Sequence, residues 1–368
     1  MRTEESFVPG LDGVIAAKTE ISFLDVDREK IVIRGEDLIE LAKDKTYFDV
    51  VHLLLEGNIP NQEEKKILED KVKELYSLPD DVLPLFNLLP KGMHPMDGMR
   101  TVISALAGYD SNIENRSHEE NKRRAYKLLG QLPFITVNSY LATEGLEIVP
   151  PDKNLSYSAN FLYMITGKKP SEQEVEIFDQ LLLLYSEHEM PNSTFASRVI
   201  ASTNSDMYGA LTGAISSLKG NLHGGANEAV MYMLQEVDSV DGFEALIHHK
   251  LQNKEKIMGF GHRVYMKKMD PRATITKEAL RKLCEKDNDY QLLEMCEAGE
   301  AIMREEKGLY PNLDYYAAPV YWKLGIPISL YTPIFFSART AGLAAHIMEQ
   351  HENNRIFRPR VEYTGKAY

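Results

Sequence analysis

The sequence predicts a mainly α-helical protein with a small β-hairpin near its N-terminus, and three features carry that prediction. Apolar residues recur at helical spacing, as in Met96, Met99, Val102, Ile103 and Leu106. Helix start and stop signals alternate almost without interruption after Gly35. Clear strand territory is confined to residues 14–35.

Within that territory, residues 21–24 and 30–33 are β-prone, and the acidic stretch 25–29 between them reads as the turn of one hairpin. Thr46 then opens a helix over 47–56 that Gly57 stops, and Asn61 with Glu64 opens another to about residue 78. Ser117 with Glu120 and Ser171 with Glu174 have the spacing of a capping box, in which side chain and backbone satisfy each other's orphan groups. Asp270 before Pro271 reads as an N-cap and first helical residue, which puts Arg272 in the first turn. A helix starting near Asp314 ends at Gly325, and Thr332 with Pro333 begins a last long helix to about residue 350. The total is fifteen to twenty helices, without internal repeats or a Gly/Ser linker, so a second lobe would be inserted in the first.

The chain has 368 residues, enough for a large core. Its 55 acidic against 42 basic residues, a formal charge of −13, argue against nucleic acid or an anionic membrane as the main partner. Cys284 and Cys296 fit neither a disulfide framework nor a metal spacing, which suits a reducing cytoplasm. The N-terminus, with Glu4 and Glu5, is not a secretory signal, and the apolar stretch 317–336 carries Lys323 and three prolines and so is not a membrane span. No Rossmann or P-loop glycine pattern occurs.

One window reverses the charge. Residues 254–272 hold six basic residues against two acids, and Gly259 and Gly261 flank Phe260 just before His262. Glycines there let the backbone turn or approach a ligand, and Arg272 in the first turn of a helix reads as an anion clamp. The alternative is a solvated charged face.

Four further places could carry chemistry. His223, before Gly224 and Gly225 and near a helix start, could donate a hydrogen bond to a developing oxyanion, or be a structural histidine. Asp314 at the first turn of a helix is either a cap or a buried general base. Glu187, His188 and Glu189 read as adjacent residues on a helix and so cannot all ligate a metal from one face, although His188 alone could bind a ligand. Arg339 lies inside an apolar helix and needs a carboxylate from protein or ligand. The tail carries Arg355, Arg358 and Arg360, which are either solvated or docked on a neighbour.

In order and spacing, Leu222-His-Gly-Gly-Ala-Asn-Glu, Gly259-Phe-Gly-His-Arg-Val-Tyr, Asp270-Pro-Arg, Pro311-Asn-Leu-Asp, Ser337-Ala-Arg-Thr and Arg358-Pro-Arg resemble the citrate synthase family. Six separate motifs coincide over nearly the whole chain. Tyr185-Ser-Glu-His-Glu-Met-Pro-Asn-Ser-Thr-Phe and Leu313-Asp-Tyr-Tyr-Ala-Ala are most similar to the 2-methylcitrate synthases of Gram-positive bacteria.

The resemblance implies a two-lobed helical fold, with residues 1–224 and 326–368 as the large lobe and 225–325 as the small one. It implies an acyltransferase that condenses propionyl-CoA or acetyl-CoA with oxaloacetate and water, with no resident cofactor and no metal. Asp314 would be the base, His223 would hold the thioester oxygen, and His262 would polarise the keto group. His188, Arg272, Arg339 and Arg358 would bind oxaloacetate, with Arg358 reaching the neighbouring site of a homodimer. Ile257, Met258, Gly259, Phe260 and Gly261 would lie along coenzyme A, with nearby lysines on its phosphates. The opening of the chain lacks the extra β domain of NADH-inhibited hexameric members, so the expectation is a dimer without NADH control. A reading of a different class is a metallohydrolase in which His223, His262 and Asp314 form a metal triad.

Overall fold

The computed structural model describes residues 7–261 and 268–366. His262, Arg263 and Lys267 lie outside the described residues. Among the described residues the chain forms sixteen α-helices and one small sheet.

The sheet corrects the hairpin expectation. Strands β1 (Ser22–Asp25) and β2 (Lys30–Ile33) pair antiparallel with Ser22 opposite Ile33, but a third strand, β3 (Glu36–Asp37), pairs with β2. At two residues, β3 is too short to show an alternating pattern. It continues into α1 (Leu38–Asp44), whose N-cap Asp37 accepts from Ile39 N at 3.0 Å.

The helices that follow are α2 (Tyr47–Glu56), α3 (Gln62–Glu74), α4 (Pro84–Leu88), α5 (Pro95–Leu106), α6 (His118–Glu144), α7 (Tyr157–Thr166), α8 (Glu172–Tyr185), α9 (Asn192–Ala201) and α10 (Met207–Leu218). Then come α11 (Ala226–Leu234), α12 (Val240–Gln252), α13 (Pro271–Asp287), α14 (Gln291–Lys307), α15 (Leu313–Lys323) and α16 (Tyr331–Glu352). The caps read from sequence are present: Thr46, Asn61 and Ser171 each close a reciprocal box with the acid three residues on, and Ser117 accepts from Glu120 N. Helix α3 stops at Glu74, short of residue 78.

Helix α16 is buried on all sides from Tyr331 to Met348 and packs against α2, α6, α8, α9 and α10, as a helix without a polar face must. A second group packs around α15, which lies against α11, α13 and α14, while α12 lies on α14. The two groups meet where α11 touches α16 and α13 touches α8. No helix of the described residues is long and apolar enough to cross a membrane.

Candidate active site

The first residues of α15 are the anchor. Asn312, not Asp314, is the N-cap: its side chain accepts from Asp314 N at 3.1 Å. The capping explanation for Asp314 is therefore overturned, and its carboxyl is available for chemistry. Tyr185, at the end of α8, donates its hydroxyl to Asp314 Oδ1 at 2.7 Å. Burial pushes the Asp314 carboxyl up to about 6, against the lowering effects of the Tyr185 hydrogen bond and the nearby Arg272 charge. That value suits a proton acceptor near neutrality.

The glycine segment runs beside this anchor. Gly259 and Gly261 have φ of 84° and 76°, and Phe260 forms an isolated antiparallel bridge with Pro311. Asn312 N donates to Gly259 O at 2.9 Å, and Gly261 N donates to Tyr310 O at 3.1 Å. A Cβ on Gly259 would lie 2.8 Å from both the Tyr315 ring and Val230, so glycine is required by space as well as by φ. Ile257 and Phe260 are buried, Met258 is half-buried, and Lys254 and Lys256 are exposed. Lys268 points elsewhere, to Glu29 at 3.4 Å in the β1–β2 turn.

His223 lies in the turn between α10 and α11. Gly224 follows because a Cβ there would meet Leu218 O at 2.4 Å. The backbone N–H of Ser193 donates to His223 Nε2 at 3.2 Å, and the Ser193 hydroxyl lies 2.9 Å from the same nitrogen. A backbone N–H can only donate, so Nε2 is the acceptor and the proton sits on Nδ1. Burial, helped by the Arg339 charge, pulls the imidazole down to about 4. His223 is thus a neutral donor, with no lone pair left for a metal. Among the described residues no cluster of three metal-binding side chains exists.

The two inner arginines differ. Arg272 forms a two-bond fork with its neighbour Asp270, Nε to Oδ1 at 3.0 Å and Nη2 to Oδ2 at 2.7 Å. Asp270 also caps α13 and accepts from Leu313 N at 3.4 Å, tying α13 to the start of α15. Sequence reasoning missed this internal partner. Arg339 is 2% exposed; it donates Nε to Tyr185 O at 2.6 Å and lies 4.8 Å over the Phe335 ring. Among the described residues no carboxylate forms an ion pair with it, and burial pulls its guanidinium down to about 10.

His188 is nearly buried in the connection between α8 and α9, since α8 ends at Tyr185 and Glu189 has φ of 60°. Residues 187–189 are therefore not on a helix, contrary to the sequence reading. Arg358 is exposed in the extended tail, which Phe357 holds against α9 through Phe195 at 5.5 Å and Ser202 at 3.1 Å. One chain thus gathers Asp314, Tyr185, Arg272 and Arg339, with His223 within reach of Arg339's charge, while Arg358 stands on the surface.

Residues 10–360 match the family described as citrate synthase, C-terminal domain. The chain belongs to the citrate synthase family. It is 66% identical to a citrate synthase of Heyndrickxia coagulans, covering 99% of this chain and 98% of the relative, and 64% identical to a citrate/2-methylcitrate synthase of Bacillus subtilis, covering 100% and 99%. In structure it is similar to the citrate synthase of Thermoplasma acidophilum in ternary complex with carboxymethyl coenzyme A and oxaloacetate, with a TM-score of 0.91 at 32% identity over 98% of this chain and 96% of that one. The protein is a condensing enzyme of the citrate synthase type.

Proposed function

We propose that this enzyme condenses oxaloacetate with propionyl-CoA to give 2-methylcitrate and also accepts acetyl-CoA. The observation that carries the reading is the pairing of a carboxyl poised at about 6, Asp314, with a histidine fixed as a neutral donor, His223. The B. subtilis relative, named for both products, supports the acyl range.

In this reading Asp314 takes the proton from the carbon beside the thioester carbonyl, while His223 Nδ1–H holds the carbonyl oxygen as negative charge develops. The enol carbon then attacks the keto carbon of oxaloacetate. His262 polarises that keto oxygen and protonates the resulting alkoxide. Water cleaves the thioester and releases coenzyme A. His188, Arg272 and Arg339 bind the oxaloacetate carboxylates, with Asp270 setting the orientation of Arg272. Ile257, Met258, Gly259, Phe260 and Gly261 present backbone to coenzyme A.

The enzyme would work in the cytoplasm as a homodimer, with Arg358 serving the neighbouring site and with residues 225–325 closing on the rest over substrate. The exposed tail position of Arg358 supports the first part. Mixed dimers of Arg358→Ala and Asp314→Asn chains should recover activity, because one site then has both residues intact. Mass analysis of the product from propionyl-CoA and oxaloacetate, in excess chelator, tests the whole reading. Finding 2-methylcitrate is expected; finding none, or only in the presence of metal, overturns it.

A further inference from the structure

We infer that Glu187 is a positioning residue for oxaloacetate: a fixed counter-charge that holds Arg339 ready for a substrate carboxylate without pairing with it. Glu187 is 0% exposed and directly precedes His188. Its Oε1 accepts from the Ser22 hydroxyl at 2.7 Å and faces His346 Nε2 at 3.2 Å. Its Oε2 has no hydrogen-bond partner among the described residues.

The sign of this charge is set from behind. Arg198 Nη1 lies 2.9 Å from His346 Nδ1, and a guanidinium only donates, so Nδ1 accepts and Nε2 carries its proton toward Glu187. Arg198 in turn pairs with Glu349 at 2.6 Å, and Glu349 accepts from Thr19 and from Glu20 N. The result is a chain from half-buried Glu349 through buried Arg198 and His346 to Glu187, anchored to the segment that leads into β1. Burial opposes ionisation of Glu187, but His346, Arg339 and Ser22 together hold its carboxyl below the usual range.

The backbone makes room for it. A Cβ on Gly342 would lie 2.0 Å from Glu187 Oε2 and 2.6 Å from Ser186 O. Glycine inside a helix is unfavourable relative to alanine, and α16 carries one at the place where the carboxylate approaches.

The consequence falls on Arg339, three positions and so about one turn before Gly342 on the same helix. A buried guanidinium requires opposite charge nearby. Among charged groups, Glu187 does most to keep Arg339 protonated. Ser22 and His346 hold that carboxylate back, so it steadies the cation and leaves guanidinium donors for a ligand. Arg272 shows the other arrangement, its fork closed on Asp270.

This inference rests on the placement of oxaloacetate at Arg339, so two variants are measured together. Glu187→Gln keeps the shape and can still accept from Ser22 and His346 while removing the charge. We expect KM for oxaloacetate to rise ~tenfold or more, with kcat and the KM for acyl-CoA at saturating oxaloacetate within ~threefold of the parent. Arg339→Ala is expected to raise the oxaloacetate KM as well. If Arg339→Ala leaves that KM unchanged, the site reading and this inference both fall. If Arg339→Ala raises it and Glu187→Gln does not, the counter-charge assignment alone falls. Should Glu187→Gln not fold, Ser22→Ala, which loosens the carboxylate without removing charge, must raise the oxaloacetate KM selectively; an equal change in both KM values, or none, overturns the assignment.

Discussion

Tyr185 Oη donates to Asp314 Oδ1 over 2.7 Å, joining the end of α8 to the first turn of α15 across 129 positions of sequence. The tyrosine itself is buried, with its ring 4.7 Å from Phe335. It stabilises the ionised carboxyl while burial favours the protonated one.

Removing the hydroxyl therefore raises the Asp314 pKa further. The proposed base works ionised, so activity should be lost as pH falls through that pKa. Tyr185→Phe should move the acid limb of the kcat/KM profile to higher pH than in the parent, where it is expected near 6. A pH–rate profile checks this, and an unmoved limb would remove Tyr185 from control of the base.

Gly259 combines φ of 84° with contacts of 2.8 Å to any added Cβ. Gly259→Ala should push the segment away from Tyr315 and Val230, raising KM for acyl-CoA while oxaloacetate binding, measured by calorimetry, is retained. Left-handed backbone alone costs a non-glycine residue about 1–2 kcal/mol, so a lower melting temperature should accompany the change.

Ala317 and Ala318 are fully buried one turn after Asp314. If their small size leaves room for the extra methyl of propionyl-CoA, Ala317→Val should shift the ratio of kcat/KM values toward acetyl-CoA by about ten- to two-hundredfold. Equal loss with both thioesters would mean that the alanine only packs the helix.

Much of this was legible in the sequence. Helix starts were written in local chemistry, such as Asn61 with Glu64 and Ser171 with Glu174, and the glycines at 259 and 261 announced positive φ. What escaped was set by distant or very short partners. The Ser193 N–H that fixes the His223 tautomer is 30 residues away, and β3 is only two residues long. Asn312 took the cap assigned to Asp314, because two capping residue types stand two positions apart and only the backbone decides between them. The Asp270–Arg272 fork hid behind a motif that reads equally well as a cap and an anion clamp.

The raised Asp314 pKa also has a stability cost with a definite sign. A carboxyl whose folded pKa is raised contributes stability below its unfolded value of about 4, and loses it as pH rises through about 6. Asp314→Asn, neutral throughout, should gain melting temperature relative to the parent at pH 8 and little at pH 4. Parallel thermal scans at the two pH values read this directly.

The same substitution tests the central claim, that Asp314 is the base of the condensation. Asp314→Asn should bind oxaloacetate with a dissociation constant within ~threefold of the parent, because Arg272, Arg339 and His188 are untouched, and should lose ~100-fold or more in oxaloacetate-dependent release of coenzyme A. A single-digit-fold loss of turnover, with binding retained, would contradict the account.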